Sequence, residues 1–167
     1  MKEQRSRIDQ LLEEVRRNRQ EREVVDVEEG QRKVVLVRCA GDRYAFRGED
    51  IKEILGEQEI SWMPGLPPFI PGLIRVRGDI ESVVDIGHFL GTPGSGGYIA
   101  MAERGSFRTG IRVDGVDDVL DVPASALQPP LDTLSGAARD LVGGAVAWDG
   151  TLIPLLDLDR LAARVTL

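Results

Sequence analysis

Apolar side chains are sparse at the start of the chain and fall at Ile8, Leu11, Leu12 and Val15, with charges on every other side. That i, i+3, i+4, i+7 spacing predicts an amphipathic helix over residues 3–22, followed by a charged linker, so residues 1–33 stand apart from the body. From Val34 the period changes. Residues 34–40 form a β-branched run, Gly41-Asp42 marks a turn, and Tyr44-Ala45-Phe46 begins a return strand. Asp149-Gly150 between two apolar runs predicts a tight hairpin whose two central residues need positive φ, and Arg77-Gly78 is its counterpart. Further strands are expected near 98–103, 107–113 and 118–122, with a turn at Asp114-Gly115 and a loop from Pro129 to Gly136. Short strands at this density, without long helices between them, predict a mainly β sandwich or barrel.

The pattern also repeats. Residues 72–90 recur as 144–162 without a gap: Gly72, Gly78 and Asp85 match Gly144, Gly150 and Asp157, and the apolar positions Ile74, Ile80, Val83, Val84, Ile86 and Phe89 match Val146, Leu152, Leu155, Leu156, Leu158 and Leu161. Phe46 and residues 51–55 match Ile111 and residues 116–120 at an offset of 65 rather than 72, so the copies differ by a seven-residue insertion, expected in the first copy where residues 62–71 lie. Two copies are too few for a solenoid. The expected organisation is a domain over 34–167 made of two small β subdomains, about 34–93 and 94–163, with strand exchange between them left open. The glycine-rich residues 91–97 read as a flexible connector.

Composition narrows the function. A chain of 167 residues with 42% hydrophobic content can bury a core. It has no run of eighteen apolar residues and a charged beginning, which predicts neither a membrane span nor a secretory signal. The single Cys39 cannot form an internal disulfide, as expected in a reducing cytoplasm. The net charge is −7, and residues 1–33 balance nine basic against nine acidic side chains, so the body carries all of the excess. Such a body repels phosphate backbones and anionic lipid, which argues against nucleic acid and membrane surfaces.

Candidate chemistry is thin. Asp85 and Asp157 sit at equivalent points before short apolar stretches and read as helix N-caps worth about 1 kcal/mol each. An aspartic-type hydrolase using the same pair is the remote alternative, but Asp85-Ile86-Gly87 and Asp157-Leu158-Asp159 lack the hydroxyl that shapes such sites. The lone His88 has no neighbouring nucleophile signature, and Cys39 reads as a small buried hydrophobe. One histidine and one cysteine leave no zinc-type ligand set, and Asp114, Asp117, Asp118 and Asp121 lack calcium-loop spacing. Residues 63–71, rich in proline, read as a connector in which Trp62, Leu66 and Phe69 are buried. No catalytic, cofactor or metal residue is expected, and a patterned domain without chemistry points to binding.

Taken in order, Arg43-Tyr44-Ala45-Phe46, Ile51-Lys52-Glu53-Ile54, the stretch from Pro64 to Gly78, Val83-Val84-Asp85-Ile86, residues 110–120 and residues 144–158 resemble the CheW-like family, the coupling proteins of bacterial chemotaxis. The resemblance spans 34 to about 163. It implies two five-stranded SH3-like barrels with short helices, no enzymatic activity and no cofactor. The implied partners are the cytoplasmic tip of a chemoreceptor and the regulatory domain of a histidine kinase, met in the cytoplasm with recruitment to membrane receptor arrays. The implied receptor contacts are Ile51, Glu53, Gly72 and Arg77. The chain departs from the usual pattern at Arg75, Ser82, Gly87 and His88, and adds the N-terminal helix. A coupler of a motility or pilus pathway is the alternative within the same class.

Overall fold

A computed structural model describes residues 10–13, 30–94, 96–132 and 136–165. Residues 10–13 are helical with Leu11 and Leu12 exposed; the rest of the predicted N-terminal helix lies outside the described residues. Eleven strands follow: β1 Gln31–Cys39, β2 Asp42–Arg47, β3 Ile51–Leu55, β4 Gly72–Val76, β5 Asp79–Asp85, β6 Tyr98–Arg104, β7 Phe107–Val113, β8 Gly115–Pro123, β9 Leu127–Gln128, β10 Val142–Trp148 and β11 Thr151–Leu156. Helix α1 (Ile86–Phe89) follows β5, α2 (Ala137–Leu141) precedes β10, and α3 (Leu158–Val165) follows β11. The predicted hairpins close as tight turns, with φ of 50° and 86° at Arg77 and Gly78 and of 50° and 73° at Asp149 and Gly150.

The strands form two curled sheets, ordered β3-β6-β7-β5-β4 and β8-β1-β2-β11-β10-β9. The second has six strands where five were expected, because the two-residue β9 joins β10; its counterpart in the first sheet is a single bridge, Ser61 to Leu73. Neither sheet is one continuous stretch of sequence. The hairpin β1–β2 sits among the later strands, and β6–β7 among the earlier ones. The joins are parallel pairings at matching points: Leu155 and Leu156 of β11 against Ala45 and Phe46 of β2, and Val83 and Val84 of β5 against Gly110 and Ile111 of β7. The two offsets now have a structural meaning, since 65 relates the exchanged hairpins and 72 relates the hairpins that receive them. The seven extra residues fall in the second copy rather than the first: an offset that grows from 65 to 72 lengthens the later copy, between β8 and β10, where β9 and α2 lie.

Exchange makes β1 and β6 buried on both faces. Val34 and Leu36 fill the inside of the six-stranded half-barrel with Ala45, Val146, Ile153 and Leu155, while Ile99 and Met101 fill the other with Ile74, Val76 and Val83. Their neighbours Val35, Val37, Ala100 and Ala102 turn the opposite way, into a core shared by both sheets that holds Phe46, Ile111, Val84, Leu156, Ile86 and Leu158. Alternation at period two, with both faces apolar, produces this three-compartment core.

The described residues of the 91–97 segment are bonded to the body where a flexible connector was expected. Two carboxylates hold them: Gly94 N–H donates to Asp85 at 3.1 Å and Gly96 N–H donates to Asp114 at 3.2 Å, while the Arg112 guanidinium donates to Gly96 O. Trp62 also differs, being 70% exposed rather than buried. The chain leaves the sheet edge after the Ser61 bridge, and Phe69 is the aromatic residue of this connector that packs on the core, 5.3 Å from the Phe89 ring.

Candidate partner-binding face

Arg77 occupies the tip of the β4–β5 turn and is three-quarters exposed. Its guanidinium reaches Glu53 of β3 at 2.6 Å. Because β3 and β4 are the two edges of the five-stranded sheet, this pair bridges the open side of the curl. The two charged residues expected on the receptor face are therefore together, and they neutralise one another. An exposed pair of this kind contributes roughly 0.2–1 kcal/mol, so the guanidinium's remaining donors are available to a partner at small cost.

Ile51 is half-buried and packs against the shared core. Gly72 is buried, and a Cβ there would lie 2.5 Å from Ser61 O and 2.7 Å from Ile60 Cγ2. The close approach that glycine permits here is made by the chain's own residues 60–61. Gly144 repeats this against Gln128 O at 2.9 Å. Exposed apolar side chains also repeat between the half-barrels: Ile54 with Val119, and Ile80 with Leu152. The sequence carried that signal as apolar residues at matched positions whose strands needed no further burial.

Asp85 and Asp157 are engaged in their own turns. Asp85 accepts from Gly87 N–H at 3.0 Å and from Gly94, and Asp157 accepts from Asp159 and Arg160 N–H at 2.8 and 3.3 Å. Neither carboxylate is directed at the other by these bonds, whereas a hydrolytic dyad shares one proton between them. His88 is exposed on α1 beside Phe69 and Phe89. Burial, with Asp114 and Asp85 adding to it, pushes the Cys39 thiol up to about 12, which makes it inert as a nucleophile at neutral pH. Of the acidic run, Asp117 pairs with Arg38 and Arg43, and Asp114 accepts from Ala40 N–H as well as Gly96. Among the described residues no group of three metal-ligating side chains gathers, and no helix is long and apolar enough to cross a membrane.

What these half-barrels present is surface for other proteins, and the comparisons agree. The CheW-like domain model matches residues 33–166, and the chain belongs to that family of chemotaxis coupling adaptors. It is 30% identical over 134 residues to a chemotaxis protein CheW of Rhizobium meliloti (strain 1021), covering 78% of this chain and 86% of that one. A chemotaxis protein CheW of Thermotoga maritima is 29% identical over 125 residues, covering 73% and 82%. The crystal structure of the scaffolding protein TtCheW from Thermoanaerobacter tengcongensis superposes with a TM-score of 0.68 at 25% identity, over 75% of this chain and 88% of that one.

Proposed function

We propose that this chain is a non-catalytic cytoplasmic adaptor that holds the cytoplasmic tip of a chemoreceptor against the regulatory domain of a histidine kinase. The five-stranded half-barrel takes the receptor through Arg77 and Glu53, with Ile51 and Gly72 supporting the face from beneath. The observation that carries this reading is the exposed Arg77–Glu53 pair at 2.6 Å: it holds a guanidinium at a hairpin tip where polar groups of a receptor helix can reach it. The exposed apolar positions Ile80 and Leu152 give each half-barrel a spot for further protein contact, the latter for the kinase.

The test is Arg77→Asp, measured by co-sedimentation with membranes that carry a chemoreceptor of the same cell. This change makes the first hairpin Asp-Gly, as in the second, and Asp tolerates positive φ, so folding is preserved. Receptor association is expected to fall at least fivefold with the melting temperature nearly unchanged. Association equal to that of the parent chain would sink the assignment.

A further inference from the structure

The two parallel joins are closed differently. β5 and β7 pair over three residues, Val83 to Asp85 with Gly110 to Arg112, whereas β2 and β11 pair over two, Ala45 and Phe46 with Leu155 and Leu156. Ahead of the first ladder, side chains continue the join: Arg108 of β7 reaches Glu81 of β5 at 2.9 Å, and the hydroxyls of Thr109 and Ser82 lie 3.1 Å apart. The repeat puts Arg43 and Ile153 in place of Arg108 and Glu81, and Tyr44 and Pro154 in place of Thr109 and Ser82. Neither pair can bridge. Ile153 and Pro154 bring no polar side chain, and Arg43 is held by Asp117 at 3.1 Å and by the Trp148 ring. The gap between the starts of β2 and β11 stays open as a cleft of about 420 Å³.

Tyr44 shows what the missing bridge leaves behind. It lines the cleft and is only 7% exposed, and its hydroxyl makes no hydrogen bond among the described residues. That oxygen is nevertheless not sealed in: among the described residues, Asp50 Oδ2 is the one fully enclosed side-chain polar atom without a partner. Buried tyrosine hydroxyls ordinarily find a partner, and here the protein supplies none. Burial, with Asp42 and Cys39 adding to it, raises the Tyr44 phenol above its ordinary value, so it remains a donor. Strand alternation sets its company. Tyr44, Phe46 and Leu156 face the shared core, so Asp42 lies on the face of Tyr44, and Leu152 and Pro154 on the face of Leu156. Asp42 is exposed and in no ion pair among the described residues, and Leu152 is 40% exposed. A free donor, a free carboxylate and two apolar side chains therefore line one cleft.

We propose that this cleft binds an extended peptide segment of a partner protein in which a lysine or arginine stands two residues from an aliphatic one. Alternate side chains of an extended chain face the same way, so both reach the cleft together. The Tyr44 O–H donates to a peptide carbonyl, Asp42 takes the cation, and the aliphatic side chain covers Leu152 and Pro154. Asp42 and the net charge of −7 disfavour an anionic segment, because Arg43, the cation of the lining, is already engaged. The proposal does not rest on the receptor reading, since Ile51, Glu53, Gly72 and Arg77 take no part.

The experiment follows amide shifts of the isotopically labelled full chain by NMR as a capped seven-residue peptide is added, with lysine two positions before leucine in a Gly/Ser background. Shifts are expected at residues 42–45 and 151–153, with binding that weakens as salt rises. Tyr44→Phe should weaken binding at least fivefold without lowering the melting temperature, because it removes a hydroxyl that has no partner within the protein. Asp42→Asn should weaken it as much and abolish the salt dependence. Ile80→Ala and Asp79→Asn, at the other hairpin, and Arg77→Asp should leave it unchanged. Absence of peptide binding, parental affinity in Tyr44→Phe, or equal binding of a peptide with glutamate in place of lysine each overturns the proposal. So does a dimer of the parent chain that Tyr44→Phe dissolves, which makes a second copy the occupant. Binding that emerges only after Arg16, Arg17 and Arg19 are changed to Gln also overturns it, by assigning the cleft to the chain's own basic run.

Discussion

Where Arg77 reaches across the open side of the five-stranded half-barrel to Glu53, the six-stranded half-barrel has Asp149 and Asp118, two exposed carboxylates at the equivalent points. Yet the backbones agree down to the register of the parallel joins and the φ angles of the hairpin tips. Buried apolar alternation and turn geometry therefore set the fold, and surface charge varies over it at little energetic cost. Two scaffolds that share a plan can face two different partners.

The sharpest way to break the equivalence is at the shared core. Phe46 and Ile111 are counterparts on the exchanged hairpins, both fully buried between the sheets. Phe46→Ala is expected to cost about 3–5 kcal/mol and Ile111→Ala about 2–5 kcal/mol, each lowering one cooperative thermal transition that involves the whole body. Two separate transitions in calorimetry would show that the half-barrels fold independently.

A smaller effect separates the two close approaches. In Gly72→Ala the new Cβ meets backbone at 2.5 Å, and in Gly144→Ala at 2.9 Å. The first should lose about 1–3 kcal/mol in denaturant unfolding and the second less; the reverse order would mean that the β9 edge is the more rigid of the two.

The cap aspartates come next. Asp85 is buried and holds Gly87 together with the 91–97 segment, whereas Asp157 holds only the start of α3. Asp85→Ala should therefore exceed Asp157→Ala within the range of about 0.5–2 kcal/mol for lost caps. Equal losses would mean that the tie to Gly94 contributes nothing.

The smallest expected effects concern Arg77 and Cys39. Arg77→Asp should shift stability by no more than about 1 kcal/mol while impairing receptor association. For Cys39, the folded thiol keeps its proton up to about 12, while the unfolded thiol releases it near about 8.5. Stability from this group is complete below the unfolded value and declines as pH rises from there toward 12. At pH 8 the native thiol should resist a disulfide exchange reagent and react fully in denaturant; rapid native reaction would place it nearer the surface.

The sequence by itself determined the local geometry. Positive-φ turns at Arg77-Gly78 and Asp149-Gly150, the strands of alternating or continuous apolar character and the aspartates before short helices are set by interactions a few residues apart, so their residue types reveal them. The duplication was legible for the same reason, through repeated burial. Tertiary structure alone decided that β1–β2 and β6–β7 change places between the copies, because parallel joins such as Val84 to Ile111 are made between residues distant in the chain whose apolar character would suit either arrangement. It also decided that Gly94 and Gly96 are tied down, since their partners, Asp85 at the end of β5 and Asp114 in the turn between β7 and β8, are brought together by that exchange. The pairing of Arg77 with Glu53 belongs to the same category, for a charge in the sequence shows its partner only once the sheets have curled.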